Sequence, residues 1–323
     1  MRGVKRTLSI ALIFLAGWGG HAQSQVVAWP NGQDSGSYRI SVGVDLVVLP
    51  STVRDRRGMR VSDLHASDFV VYEDRVPQQI RLFRHEDIPV VAGLVVDHSG
   101  SMSPKLKEVI YGAQAFVRSS NADDQMFVVN FNEVVSFGLP EAIGFTTEVD
   151  KLALAIWRDP AAGETALYDA IVIALSRLET GGRDKKVLVV VSDGADNASS
   201  HTLAQALQTA ERSSAIIYTV GLFAPYDRDA NPRMLSRLAQ ATGGEAFFPE
   251  KLDEVVAICE RIASDIRSQY TIGYVSSNAK RDGLRRTIRV TAHAQGHGKL
   301  SVRTRAGYIA GVRLSPTKDT DEK

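Results

Sequence analysis

Cysteine is scarce in this chain of 323 residues, and so are long hydrophobic runs. The single cysteine, Cys259, excludes an intrachain disulfide, and it lies in a helical apolar pattern where a thiol usually packs as a small hydrophobic side chain. Without disulfides the fold depends on its hydrophobic core, which a chain of this length can build. The N-terminal apolar run, Leu8–Trp18, has about 11 residues. A transmembrane helix needs about 20.

The chain also lacks a large net charge, because its 38 Lys and Arg residues are balanced by 37 Asp and Glu residues. This balance gives no reason to expect nucleic acid or an anionic membrane surface as a partner. The sequence also lacks a phosphate-binding Gly-x-x-x-x-Gly-Lys loop, a histidine-based zinc ligand set and a Ser/His/Asp arrangement. These absences favour a protein that is not an enzyme.

The N-terminus has the pattern of a secretory signal peptide. Arg2, Lys5 and Arg6 precede the short apolar run, and small residues follow it near Gly20 and Ala22. We expect a signal peptide over residues 1–22, with a single-pass anchor as the alternative, and a linker over 23–38. The mature protein would then be exported, to the periplasm, the medium or the cell surface, without a membrane span.

The spacing of hydrophobic residues divides the rest of the chain into three parts and a tail. Residues 39–88 and 269–314 alternate with period two, which is typical of β-strands, and the polar tail 315–323 is expected to be disordered. Between them, residues 89–268 alternate strand and helix patterns, which predicts a doubly wound, mainly parallel sheet with helices on both faces. The two flanks are expected to pair into a small β-sandwich. The predicted strands of the α/β unit are Val90–Val96, Met126–Phe131, Val187–Val191, Ala215–Val220 and Glu245–Phe248.

The first of these strands ends abruptly in polar residues. Asp97, Ser99 and Ser101 follow the apolar run at intervals of two, and Gly100 permits a tight turn between the hydroxyls. Ligands collect at the carboxyl ends of such strands, and hard oxygen donors suit magnesium better than zinc or copper. His98 is expected to face solvent, away from a metal. The alternative is a helix cap without a metal, because Ser and Asp are favoured N-caps.

Two later segments carry matching polar groups. One is Gly163–Asp169, with Thr165 at the opening of a helix, and the other is Val189–Asn197, a buried strand that ends at Asp193. Together with the first segment they resemble the von Willebrand factor A domain and its metal-ion-dependent adhesion site, over about residues 88–268. The resemblance implies that Asp97, Ser99, Ser101, Thr165 and Asp193 coordinate a divalent cation, the serines directly and the others directly or through water.

The flanks extend this resemblance to bacterial exported proteins related to von Willebrand factor A. Segments like Ser67–Asp74 and Gln269–Tyr274 stand before and after the metal-binding unit in those proteins. One departure from the adhesion-site pattern is Glu164, which stands where a small residue often precedes the threonine. We expect Gly100, Glu164, Asp196 and Asn197 to support the ligands or to contact a partner.

A function follows from the chemistry of such a site. Magnesium prefers six oxygens, so three hydroxyls and two carboxylates leave at least one position open. An Asp or Glu carboxylate of a partner protein could fill it, which predicts metal-dependent adhesion or assembly with Mg²⁺, or Mn²⁺ or Ca²⁺ in its place. One alternative is a subunit of an envelope complex without metal-dependent binding. The other is a metal-dependent hydrolase in which Glu164 or Asp196 acts as the general base.

Overall fold

A computed structural model of the protein describes residues 46–158, 160–223 and 229–311. The expected signal peptide, linker and tail lie outside the described residues. In the first flank the strands are β1 (Leu46–Arg54), β2 (Phe69–Glu73), β3 (Val76–Gln78) and β4 (Ile80–Arg84). The α/β unit contains β5 (Val90–Asp97), α1 (Leu106–Ser119), β6 (Gln125–Phe131), β7 (Val135–Phe137), α2 (Val149–Trp157), α3 (Leu167–Glu179), β8 (Lys185–Ser192), α4 (Leu203–Arg212), β9 (Ile216–Gly221), α5 (Pro232–Thr242), β10 (Ala246–Phe247) and α6 (Glu254–Arg267). The second flank contains β11 (Tyr270–Val275), β12 (Arg285–Ala292), β13 (Ser301–Arg303) and β14 (Gly307–Ile309).

The central sheet has the strand order β10-β9-β8-β5-β6-β7. Its strands are parallel except for β7, which pairs antiparallel with β6 at one edge. Helix α1 contacts both α2 and α6, and helix α4 contacts both α3 and α5, which gives two groups of helices. Every residue of β5 is buried, which explains why its sequence is an unbroken apolar run. The predicted fold class is confirmed.

The order of the strands places a crevice at the end of β5. The chain passes from β5 to β6 on one side of the sheet and later adds β8 on the other side. At such a reversal the connections leave in opposite directions, so the carboxyl ends of the two strands border an open crevice. Strand β5 ends at Asp97, and β8 ends at Ser192, directly before Asp193.

The flanks form two further four-stranded sheets, β13-β1-β11-β4 and β14-β12-β2-β3. Each combines strands from before and after the α/β unit, as the pairs Leu49↔Ile272 and Val71↔Val290 show. These four side chains share one hydrophobic core with Tyr274. The Tyr274 hydroxyl donates to Glu73 Oε2 at 2.7 Å, so the buried phenol has its hydrogen-bond partner on the opposite sheet.

Local sequence signals explain several helix ends. Helix α5 begins with Pro232 after Asn231, whose side chain accepts a hydrogen bond from Met234 N. Gly243, with a φ of 84°, caps its C-terminal end. Helix α1 packs closely on α6 at Gly112, where an added Cβ would lie 2.7 Å from Val255 Cγ1. Across the described ranges no helix is long and apolar enough to cross a membrane.

Candidate metal site

Backbone hydrogen bonds join the three polar segments at the carboxyl end of the central sheet. Gly100 N donates to Gly163 O at 3.2 Å, and Ala162 N donates to His98 O at 2.8 Å. Asn197 N in turn donates to Thr165 O at 3.0 Å. The loop before α3 therefore contacts both the loop after β5 and the loop after β8. Residues more than 60 positions apart in the sequence thus share one site.

Side-chain oxygens converge within this site. Ser101 Oγ donates to Asp193 Oδ2 at 2.5 Å, and the hydroxyl oxygens of Ser99 and Ser101 are 3.2 Å apart. Adjacent ligands of an octahedral magnesium ion are about 3 Å apart, because each metal–oxygen bond measures about 2.0–2.1 Å. The spacing and the hard oxygen chemistry of these groups fit a small divalent cation. Among the described residues no group of three or more His, Cys, Asp or Glu side chains could hold a metal.

Asp97 is fully buried at the end of β5. Its Oδ1 accepts from Ser99 N at 2.8 Å, and its Oδ2 accepts from Ser192 Oγ at 2.6 Å. Burial raises the pKa of the Asp97 carboxyl to about 6, although the hydrogen bonds from Ser192 and Ser99 oppose that effect. A cation beside the carboxylate would favour its charged form.

Thr165 is buried, and its backbone N donates to Asn197 Oδ1 at 2.8 Å. Asp196 caps the start of α3, since its Oδ1 accepts from Tyr168 N at 3.1 Å and from Ser199 Oγ at 2.5 Å. Burial raises the pKa of the Asp196 carboxyl. The side chains of Asp196 and Asn197 thus hold the segment that contains Thr165 and the start of α3 by direct hydrogen bonds.

Glu164 is exposed, and its backbone N donates to Glu133 Oε2 at 3.0 Å. The Glu133 carboxylate lies over Gly163, where an added Cβ would overlap it and where φ is 83°. Gly163 therefore permits both the turn and this contact. Glu133 was not expected at the site, because it follows β6 and carries no motif that links it to the threonine loop.

Ser192 is a second residue that sequence reasoning did not assign. It is fully buried, donates to Asp97 and accepts from Gly194 N at 2.9 Å. Its position as the last residue of β8, directly before Asp193, is the signal that could have indicated this role.

The expectation that His98 faces solvent is wrong. His98 is 1% exposed. Its backbone N donates to Phe131 O at 2.7 Å and its carbonyl accepts from Ala162 N, so the residue extends the pairing of the sheet beyond β5. These two bonds hold His98 between the end of β6 and the loop before α3, and its side chain is buried among these segments.

Comparison with known proteins supports the fold. The family model "von Willebrand factor type A domain" matches residues 93–261, about half of the chain. No curated protein matches the sequence. Solved structures similar to this chain include a von Willebrand factor type A protein from Catenulispora acidiphila, at 13% identity and a TM-score of 0.50, over 82% of this chain and 74% of that one.

Two other similar structures cover just over half of this chain. One is the conserved hypothetical protein BatB from Bacteroides thetaiotaomicron, at 16% identity and a TM-score of 0.46, over 55% of this chain and 98% of that one. The other is proximal thread matrix protein 1 from the mussel byssus with a zinc-occupied MIDAS motif, at 14% identity and a TM-score of 0.46, over 56% of this chain and 48% of that one. By its sequence match and its fold, the chain belongs to the von Willebrand factor type A domain family.

Proposed function

We propose that the protein is an exported, metal-dependent protein-binding module. In this proposal Asp97, Ser99, Ser101, Thr165 and Asp193 hold a divalent cation, and the cation captures an Asp or Glu carboxylate of a partner protein. The observation that carries the proposal is the convergence of the Ser99, Ser101 and Asp193 oxygens, at 3.2 and 2.5 Å, at the carboxyl end of the sheet. Mg²⁺ is the proposed ion because the donors are hard oxygens.

Exposure of the site supports capture of a partner. Asp97, Ser99, Thr165 and Asp193 are buried, whereas Ser101, Gly100 and Glu164 are exposed. A cation held by these groups would reach the surface on the side of Ser101. With three neutral hydroxyls among five protein donors, an octahedral ion keeps a position there for an outside ligand. A carboxylate is the strongest oxygen donor that a partner protein can offer.

The same geometry argues for binding in preference to catalysis. A hydrolase would need a general base that is free to take a proton from metal-bound water. Asp196, one of the two candidates, already accepts hydrogen bonds from Tyr168 N and Ser199 Oγ. Proteins of this family are mostly adhesion or interaction modules. We therefore propose no enzymatic activity. Export rests on the basic residues and the short apolar run at the N-terminus.

Metal binding is tested with Mn²⁺ as a spectroscopic probe, and with Mg²⁺ as its competitor. We expect Mn²⁺ to bind the purified protein with one site, and Mg²⁺ to displace it. Ser101→Ala should weaken Mn²⁺ binding at least tenfold without unfolding the protein, because Ser101 is exposed. The matched control is Ser103→Ala, an exposed serine two positions further along that lies outside the proposed ligand set. Equal Mn²⁺ affinity in the two variants would contradict the ligand assignment.

Partner capture is tested by pull-down from cell-envelope fractions with Mg²⁺ and with chelator. Wild type and Asp97→Ala are compared, and bound proteins are identified by mass spectrometry. The proposal expects a partner that is retained by wild type with Mg²⁺ and is lost both with chelator and with Asp97→Ala. A partner retained under all conditions would favour the alternative of an assembly subunit without metal-dependent binding.

A further inference from the structure

Strand β7 lies at one edge of the central sheet, so one side of its backbone faces away from the other strands. Phe137 lies opposite Val129 of β6, and just beyond it Gly138 N donates to Val128 O at 3.0 Å. Hydrogen-bonded and non-bonded residue pairs alternate along an antiparallel ladder. The backbone N–H and C=O groups of Phe137, and those of Val135 two positions earlier, therefore point away from β6.

Three of these four outward groups have no hydrogen bond in the part of the chain that the structure describes. They are Val135 N, Val135 O and Phe137 N. The fourth, Phe137 O, accepts from Arg158 Nη1 at 3.3 Å, and a carbonyl oxygen has a second lone pair for another donor. A row of unpaired edge groups is a template on which an extended segment of another chain can add as a strand.

A mostly apolar groove of about 310 Å³ lies beside this edge, on the sheet face that carries α3. It is lined by Phe137 and by residues of α3 and its C-terminal cap: Val172, Ile173, Ser176, Arg177 and Thr180. Side chains of a strand point alternately to the two faces of a sheet, and those directly opposite on neighbouring strands lie about 5 Å apart. A side chain of an added strand would therefore enter this groove next to Phe137, and the walls favour an apolar one.

The charges at the groove indicate which residues would accompany that apolar side chain. The guanidinium group of Arg177 lies over the ring of Phe137, 4.3 Å from its centroid, and Arg177 is only partly exposed. Neither Arg177 nor Arg158 forms an ion pair with any described residue. A partly buried cation without a counter-ion favours a carboxylate, because hydrogen bonds between charged groups are stronger than those between neutral ones. The edge therefore fits a segment that carries acidic residues.

A second copy of this chain does not offer that complement. Pairing of two β7 edges about a twofold axis would bring Arg177 and Arg158 of one copy towards the same residues of the other. Like charges would then face each other across the added strand. Charge complementarity thus favours a different protein at this edge.

We propose that β7 and the groove beside α3 bind an extended segment of a partner protein, in which an apolar residue has acidic residues within two positions of it. The segment adds to the edge of the central sheet, and its backbone bonds to Val135 and Phe137. Its apolar side chain packs in the groove against Phe137 and Ile173, and a carboxylate pairs with Arg177. None of the proposed metal ligands lines this groove, so the proposal does not rest on the metal site.

The test presents a displayed library of random short peptides to the purified full chain. Chelator is present throughout, so the proposed metal site cannot capture the carboxylates of the peptides. We expect enrichment of peptides in which an apolar residue has Asp or Glu within two positions. The most enriched peptide is then synthesised, and its affinity for the protein is measured by fluorescence anisotropy. No enrichment, or enrichment of peptides without acidic residues, would overturn the proposal.

Substitutions then locate the binding. Arg177→Gln should weaken peptide binding about tenfold, because it removes a charge-assisted hydrogen bond. The matched control is Arg212→Gln, which removes an exposed arginine from the last turn of α4 and should leave the affinity unchanged. Equal affinity in these two variants would contradict the assignment of Arg177.

Val135→Pro tests the added strand itself. The change removes an outward N–H and leaves the pairing with β6 in place, since proline is tolerated on an edge strand at such a position. We expect weaker peptide binding with an unchanged circular dichroism spectrum. Sedimentation velocity of the protein alone should show a monomer, and a dimer that Val135→Pro abolishes would assign the edge to self-association and overturn the proposal.

Discussion

Asp265 of α6 and Arg54 of β1 form an ion pair, with 2.7 Å between Oδ2 and Nη2, although 211 positions separate them. Arg303 lies 3.3 Å from the same oxygen, and Arg60 lies 3.5 Å from the other one. The Asp265 side chain is fully buried, whereas the three arginines are partly exposed. One carboxylate of the α/β unit is thus shared by three cations that the sandwich contributes.

Removal of this carboxylate should destabilise the protein strongly. In Asp265→Ala three guanidinium groups lose their shared counter-charge at a partly buried position, and we expect a loss of about 3 kcal/mol in the free energy of unfolding. Urea denaturation measures it. The control is Glu148→Ala, which removes an exposed ion pair with Lys151 and should cost less than about 1 kcal/mol. Similar losses in both variants would show that the buried ion pairs are not important for stability.

Lys185 predicts a pH dependence of stability. It is buried at the start of β8, its Nζ donates to Ile266 O, and burial lowers its pKa from 10.5 to about 8, although Asp87 and Asp124 oppose the effect. Below pH 8 both the folded and the unfolded chain carry the proton, so the cost of burying the charge is present in full. Between pH 8 and 10.5 the folded chain releases the proton first, and stability rises with pH.

The comparison is between wild type and Lys185→Met from pH 7 to 10. Other titrating groups, including Cys259, are common to both proteins, so they cancel in the difference. We expect wild type to gain up to about 3 kcal/mol relative to the variant as the pH rises through this range. A difference that does not change with pH would contradict the lowered pKa of Lys185.

Cys259 should be unreactive in the folded protein. It is 3% exposed on α6, and burial raises its pKa from 9.0 to about 12. Alkylation requires the thiolate, which at pH 8 would then be about one part in ten thousand. We expect no modification by iodoacetamide in native buffer and one label per chain in guanidinium chloride, measured by intact mass. Rapid labelling of the native protein would show that α6 opens or that the thiol is accessible.

Gly112 should be required for the close packing of α1 on α6. Alanine is the better helix former by about 1 kcal/mol, but its Cβ would lie 2.7 Å from Val255 Cγ1 and 3.0 Å from Cys259 Sγ. Overpacking costs about 1–3 kcal/mol, so Gly112→Ala should be destabilising on balance. Val255→Ala opens space at the same point. The double variant should therefore lose less than the sum of the two single variants, and simple additivity would argue against the contact.

Magnesium should stabilise the protein if the proposed site is correct. A ligand that binds only the folded chain adds about 2.7 kcal/mol at a hundred times its Kd. We expect Tm to rise with Mg²⁺ and to return with chelator. Thr165→Val keeps the shape of a buried side chain but removes the hydroxyl, and its Tm should not respond to Mg²⁺. An equal response in the variant would exclude Thr165 as a ligand.

The central strands and helices could be predicted from the sequence because the hydrophobic patterns that mark them extend over many residues. The apolar run of β5 indicated a buried strand, and the structure has it at Val90–Asp97. The short strands β3, β7 and β14 were not predicted. Each has three residues at the edge of a sheet, too few for a periodic pattern, and only one neighbouring strand orders it.

The candidate site could be predicted only as far as its motifs extend. The five proposed ligands follow strand ends or precede a helix, where sequence patterns are informative. The Ser192–Asp97 bond and the contact of Glu133 with the Glu164 backbone depend on how separate loops are packed against one another. The burial of His98 likewise depends on separate segments, because its backbone contacts both Phe131 and Ala162. Such contacts between loops produce no periodic pattern in the sequence, so they could not be predicted from it.

The pairing of β4 with β11 also determines the order in which the protein can fold. Arg84 lies opposite Thr271, so the strands that lead into and out of the α/β unit are neighbours. The chain is made from its N-terminus, so β1–β4 exist long before β11–β14, and neither mixed sheet can be completed without those later strands. Folding of the α/β unit brings its two ends together and removes most of the entropic cost of closing this long loop. The inserted unit is therefore expected to fold first and to serve as the template on which the sandwich closes.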